Sequence, residues 1–164
     1  MNKLKIEFKN LASSNLISGY ASVFNNIDHA GDIILPGAFE CVLSKANTLP
    51  LLWQHDQKEP IGVIKLLKED NYGLYFEAEL VLQAGRAKSA KALIDAGAIS
   101  GISIGYSVVK SHYNHKNKAR LIAKVNLWEI SLVTFPANPK AVLTNNQKSI
   151  GAALDRAIKI LKGK

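Results

Sequence analysis

Apolar and polar residues alternate with a period of two along most of this chain, the pattern of strands that bury one face. The alternation runs through KLKIEF from Lys3, LISGYASVF from Leu16, IGVIKLL from Ile61, GLYFEAELVL from Gly73, ISIGYSVV from Ile102 and ARLIAKV from Ala119. β-Branched and aromatic residues, which suit a pleated and half-buried surface, are concentrated in the same stretches. Two apolar runs, LPLLWQH from Leu49 and LWEISLV from Leu127, add to these and bring the total to about eight strands, most of them joined by short turns such as EDNYG. Helical spacing is confined to PGAFECVLSKAN, with Pro36 near its start, to RAKSAKALIDAG, with Gly97 in C-cap position, and to the amphipathic NQKSIGAALDRAIKILKG. The pattern predicts a mainly β protein with some α (α+β): a small antiparallel β-barrel of about seven to eight strands flanked by about three helices. Residues 1–145 form the β-rich domain and residues 146–164 a basic amphipathic helix or tail outside it.

Composition narrows the class. A chain of 164 residues, 48% hydrophobic and 21% charged, can bury a core as one domain without metal or disulfide staples. Cys41 is its single cysteine, so no intrachain disulfide forms. The N-terminal MNKLKIEFKN lacks the apolar core of a secretory signal and no run is long enough to span a bilayer, so a cytosolic protein with no membrane partner is expected. The net charge of +8 is concentrated in residues 110–124 and in the C-terminal tail. It favours acidic partners, yet a solvated basic surface is the simpler account of it. The aromatic residues do not interleave with the lysines as single-strand binders require, which argues against nucleic acid.

Three residues break their local pattern in ways that bear on chemistry. GISIGY at residues 101–106 contains a G-x-S-x-G string centred on Ser103. In a nucleophile elbow the serine follows a strand and opens a helix; here a helical stretch precedes Ser103 and β-rich sequence follows, so the elbow reading fails. His55 ends the apolar run LPLLWQHD, where period-two geometry puts Leu51, Trp53 and His55 on one face and Asp56 on the other. A histidine at a strand mouth suits a general base, although a lone histidine there is more often a core-edge imidazole bonded to backbone. Glu129 interrupts LWEISLV on a face shared with Leu127, Ser131 and Val133. A carboxylate buried there needs a partner from elsewhere in the fold, which a histidine becoming cationic would supply; a glutamate at a sheet edge bonded to lysine is the alternative. His112 and His115 share HxxH spacing, but no Cys, Asp or Glu lies near to complete a metal site, and no cofactor is implied.

GYASVFNNIDHAGDIILPGAFE, LPLLWQHD followed by EPIG, GLYFEAEL, GISIGY and LWEISLVTFPANPKA occur in an order and spacing that resemble the tailed-phage prohead (procapsid maturation) proteases, over residues 19–141. That family is similar in fold to the herpesvirus assemblins, serine proteases built on a small β-barrel. The resemblance implies Ser103 as nucleophile, His55 as general base and Glu129 as third member. Asp28 and Asp32, in NNIDHAGD, also match family positions; they read as turn-forming residues, with Asp32 a fallback acid. The implied activity is that of a serine endopeptidase acting inside the immature capsid, in the host bacterial cytoplasm. Its substrates would be scaffold segments or the N-terminal extension of the major capsid protein, with self-cleavage and self-association. Two alternatives are a non-catalytic basic barrel that binds capsid protein or nucleic acid, and a small esterase using the same serine.

Overall fold

The computed structural model describes residues 15–44 and 48–144. The strand expected from Lys3 and the tail over residues 146–164 lie outside these residues. In chain order the elements are β1 (Leu16–Val23), β2 (Asp32–Ile34), α1 (Glu40–Leu43), β3 (Pro50–Trp53), β4 (Asp56–Glu69), β5 (Gly73–Leu80), α2 (Gly85–Asp95), β6 (Gly101–Asn114) and β7 (Ala119–Val133).

The strands run β1-β5-β4-β3-β7-β2 across one curled sheet, and β6 pairs with the other edge of β7. Residues 141–144 then connect β6 to β1. Ile102 donates to the carbonyl of Ala141 and Leu143 to that of Ser100 on one side; Tyr20 donates to Val142 and Thr144 to Ser18 on the other. The ring of strands therefore closes, which removes the exposed edges that an open sheet would present. Its interior is filled by alternate residues of successive strands, among them Leu51, Phe76, Ile102, Ile130 and Leu132.

Two pairings depart from the antiparallel expectation. The runs expected as separate strands from Ala119 and Leu127 are one strand of 15 residues, long enough at about 3.3 Å per residue to carry two short strands end to end along one edge. β2 lies parallel to it at Arg120–Ile122 and β3 parallel at Ile130–Leu132. The chain between β2 and β3 carries α1 and returns in the same direction, as a parallel pairing requires.

Of the expected helices, α2 ends as its sequence indicates. Gly97 has φ 71°, and the N–H groups of Gly97 and Ala98 bond back to the carbonyls of Ile94 and Leu93, a Schellman closure. The helix expected from Pro36 shrinks to the four residues of α1. Gly37 is left-handed at φ 85°, and the Glu69 carboxylate takes the N–H groups of Gly37 and Phe39 at 2.9 and 2.8 Å. Those donors are thereby committed to a strand residue before the helix begins. No described helix is long and apolar enough to cross a membrane.

Candidate active site

His55 is not in a strand, contrary to the alternation of LPLLWQH. β3 stops at Trp53, which pairs with Asp56, and Gln54 and His55 are the two central residues of the turn between them, at φ 53° and 61°. Two positive φ values in a two-residue hairpin define a type I′ turn, whose twist matches the flanking strands. Neither residue is Asn or Gly, so the left-handed conformation costs about 1–2 kcal/mol at each. Bonds to β7 and beyond hold it. Gln54 donates its N–H to the Leu132 carbonyl at 3.0 Å. Its side chain donates to Thr134 Oγ1 at 2.8 Å and accepts the Thr134 N–H at 3.3 Å. The hairpin is also braced from α2, where the Arg86 guanidinium sits 5.9 Å over the Trp53 ring and bonds Glu59.

Glu129 reaches the same spot through a bulge in β7. Gly105 pairs with Glu129 and Tyr106 with Leu127, leaving Trp128 as the extra residue. The bulge breaks the expected alternation: Leu127 joins the core, whereas Trp128 is exposed. Glu129 Oε1 lies 2.6 Å from His55 Nδ1, and its Oε2 accepts a bond from Ser131 Oγ at 2.6 Å. The carboxylate can only accept, so Nδ1 carries the proton and Nε2 is left as the basic nitrogen. The Glu129 side chain is 12% exposed and that of His55 44%, so the imidazole is anchored on its buried side and open on the other.

This contact sets the basicity of His55. Its pKa is raised above 6.5, first by the hydrogen bond to Glu129 and also by that residue's charge, while burial opposes both.

Gly105 leaves room for the carboxylate. A Cβ added there would lie 2.9 Å from Glu129 Cγ and 3.0 Å from its Cδ, and nearer still to Oε1. Gly105→Ala must therefore push a carboxylate held by two bonds away from the imidazole. We expect any catalysis at this site to fall about 100-fold with little change in thermal stability, measured as kcat/KM beside a melting curve.

Ser103 lies within β6, directly opposite Ser131 on β7. Directly opposed residues of an antiparallel pair project to the same face. The Ser103 hydroxyl and the His55–Glu129 pair are thus on one side of the β6–β7 ribbon, with Ser131 beside both. Ser103 is on no sharp turn, in keeping with the failed elbow reading. It also borders a cavity of about 100 Å³ that Ala137 and Asn138, in the loop after β7, help to line.

The two aspartates line the same cavity as Ser103 but bond to groups other than His55. Asp28 Oδ1 accepts the N–H groups of Ala30 and Asp32 at 2.8 and 2.9 Å, a turn role. Asp32 is buried and gripped by Arg120 through Nε at 2.8 Å and Nη2 at 2.6 Å, so it is the partner of a guanidinium and not of His55. His112 lies in β6 and His115 in the β6–β7 turn. Among the described residues no three His, Cys, Asp or Glu side chains converge as a metal site would require.

Comparison with known proteins gives this chain a family. The profile described as "Caudovirus prohead serine protease" matches residues 2–155. The chain belongs to that family. It is 38% identical over 143 residues to the prohead protease of Enterobacteria phage HK97, covering 85% of this chain and 64% of the relative. It is 28% identical over 125 residues to the prohead protease of Escherichia phage T5, covering 74% and 58%. The chain thus spans less than two thirds of the length of these relatives. Among solved structures, the capsid assembly protease of bacteriophage T4 superposes with a TM-score of 0.54 at 14% identity, over 72% of this chain and 81% of that one. KSHV protease superposes with a TM-score of 0.54 at 12% identity, over 79% and 63%. These likenesses extend to the assemblin-like barrel.

Three residues around the site carry no sequence mark strong enough to single them out: Gln54, Gly105 and Ser131. Only the E-x-S spacing of Glu129 and Ser131, which puts both on one strand face, was available as a signal.

Proposed function

We propose that this prohead protease family member is a serine endopeptidase in which Ser103 attacks the scissile carbonyl, His55 is the general base and Glu129 orients it. The observation that carries the reading is the 2.6 Å contact between His55 Nδ1 and Glu129, on the strand face that bears Ser103. A serine hydroxyl is a weak nucleophile near neutrality, and His55 Nε2 takes its proton as the bond to the carbonyl carbon forms. The imidazolium so produced is stabilised by the carboxylate on its other nitrogen, then returns the proton to the leaving amine. Charge growing on the carbonyl oxygen needs N–H donors already aimed at it; the backbone N–H groups of Ala137 and Asn138, which line a cavity with Ser103, are the candidates. Water then hydrolyses the acyl-enzyme by the same proton route in reverse.

The substrates are scaffold segments or the N-terminal extension of the major capsid protein, cut inside the immature capsid in the host cell, with the basic tail a docking element or a site of self-cleavage. Support comes from the names of relatives. Besides the two prohead proteases, a part of the capsid polyprotein of Pseudomonas phage PAJU2 is 29% identical to this chain over 136 residues, which amount to 20% of that polyprotein. A peptidase must enter the shell before the shell closes, so self-association and packing with capsid subunits belong to the same proposal.

The test is co-expression of the chain with the major capsid protein of its own phage. Mass spectrometry of assembled particles should show the capsid extension removed, and a serine-directed fluorophosphonate should label Ser103. Particles that contain the chain and keep every capsid subunit at full length would refute the proposal.

A further inference from the structure

Ser131 is fully buried in a strand whose neighbours are Ile130, Leu132 and Val133. A hydroxyl in such a position costs free energy unless it is bonded, and a small apolar side chain would fill the space without that cost. We propose that Ser131 is a positioning residue for catalysis, holding the base and its carboxylate in register with the nucleophile. The inference rests on the assignment of Ser103, His55 and Glu129 given above.

A serine hydroxyl has one proton to donate and lone pairs to accept. Ser131 Oγ donates to Glu129 Oε2 at 2.6 Å, short as expected for a bond to a charged acceptor. It also accepts the backbone N–H of His55 at 3.3 Å. With the Nδ1 contact to Oε1, these bonds close a ring: backbone of His55, hydroxyl of Ser131, carboxylate of Glu129, imidazole of His55. Each member removes one freedom. The bond to Oε2 stops the carboxylate from rotating about its terminal torsion, so Oε1 stays on Nδ1. The bond from the His55 N–H holds a turn residue that sits in the left-handed region.

Ser131 and Ser103 are opposed residues of the β6–β7 ladder, so their Cα atoms are about 4.5–5.5 Å apart. The ring is therefore fixed to the backbone at the register of the nucleophile. Ser131 itself is no substitute nucleophile, because it is inaccessible and its proton is committed to Glu129.

Threonine and valine have nearly the same shape and differ by the hydroxyl, so Ser131→Thr and Ser131→Val separate bonding from packing. Ser131→Thr should keep most of the activity. Ser131→Val should lower kcat by about 100-fold with KM unchanged. A carboxylate released from Ser131 turns off Nδ1, so the acid limb of kcat/KM in Ser131→Val should also move to lower pH, toward an ordinary histidine. Should the added methyl prevent either variant from folding, Ser131→Ala against wild type gives the same two readings. Equal kcat in the hydroxyl-bearing and hydroxyl-lacking proteins, or a loss of kcat with an unmoved acid limb, would overturn the positioning role. Ser103→Ala is run beside them. If it stays active, the nucleophile assignment itself has failed; if it is inactive while threonine and valine behave alike, only the role of Ser131 has.

Discussion

On the proposed function, replacing Ser103 with alanine is expected to reduce cleavage of the capsid-protein extension by at least about 10⁴-fold, the range seen when a triad nucleophile is removed. The protein should remain folded. Ser103 is the third residue of β6, paired with Ser131 and flanked by isoleucines, and loss of its hydroxyl leaves the β6–β7 ladder unchanged. His55→Ala should fall to a similar level and should not compound the loss when combined with Ser103→Ala, because the two act in one proton transfer. The measurement is processing of the capsid protein in co-expressed particles, with circular dichroism and a melting curve on the isolated variant. A Ser103→Ala protein that processes normally, or that has lost its fold, contradicts the assignment.

Glu129→Gln keeps the shape and removes the charge. The amide can turn its NH₂ toward Nδ1, which favours the tautomer with the proton on Nε2, the nitrogen that must be free to accept one from Ser103. A loss of about 10²- to 10⁴-fold is expected, with measurable residual cleavage. The pH dependence carries a second, independent sign. In the wild type the His55 pKa is raised, so the base becomes competent only as pH climbs through a value above 6.5, and activity is lost as pH falls below it. In Glu129→Gln the bond and charge that raise the pKa are gone, while burial still opposes the imidazolium. The acid limb should therefore move to lower pH even as the plateau drops. A fall in rate with an unmoved limb would mean that Glu129 does not set the protonation of His55.

The strands were legible because each buries one face, and a period of two survives almost any loop arrangement. The pairing of β2 and β3 along one edge of β7 was not, since direction depends on the path of the connecting chain. β7 itself read as two strands because its polar residues fall near the middle. Glu129 stood out because a carboxylate in an apolar strand demands a partner. Its bulge did not, because an extra residue leaves no mark in composition. The turn at Gln54 and His55 was hidden for a related reason: such turns favour Asn-Gly, and here tertiary bonds from Leu132, Thr134, Ser131 and Glu129 override that local preference.

That turn has a bearing on how the molecule tolerates change. With only two residues at its apex, the β3–β4 turn fixes where His55 sits, and one amino acid inserted there would move the imidazole away from Glu129 and Ser131. The β6–β7 tip around His115, reaching into solvent, can lengthen or shorten at small energetic cost. Diversification of this scaffold should therefore fall on the outer finger, leaving the short inner clasp fixed in length.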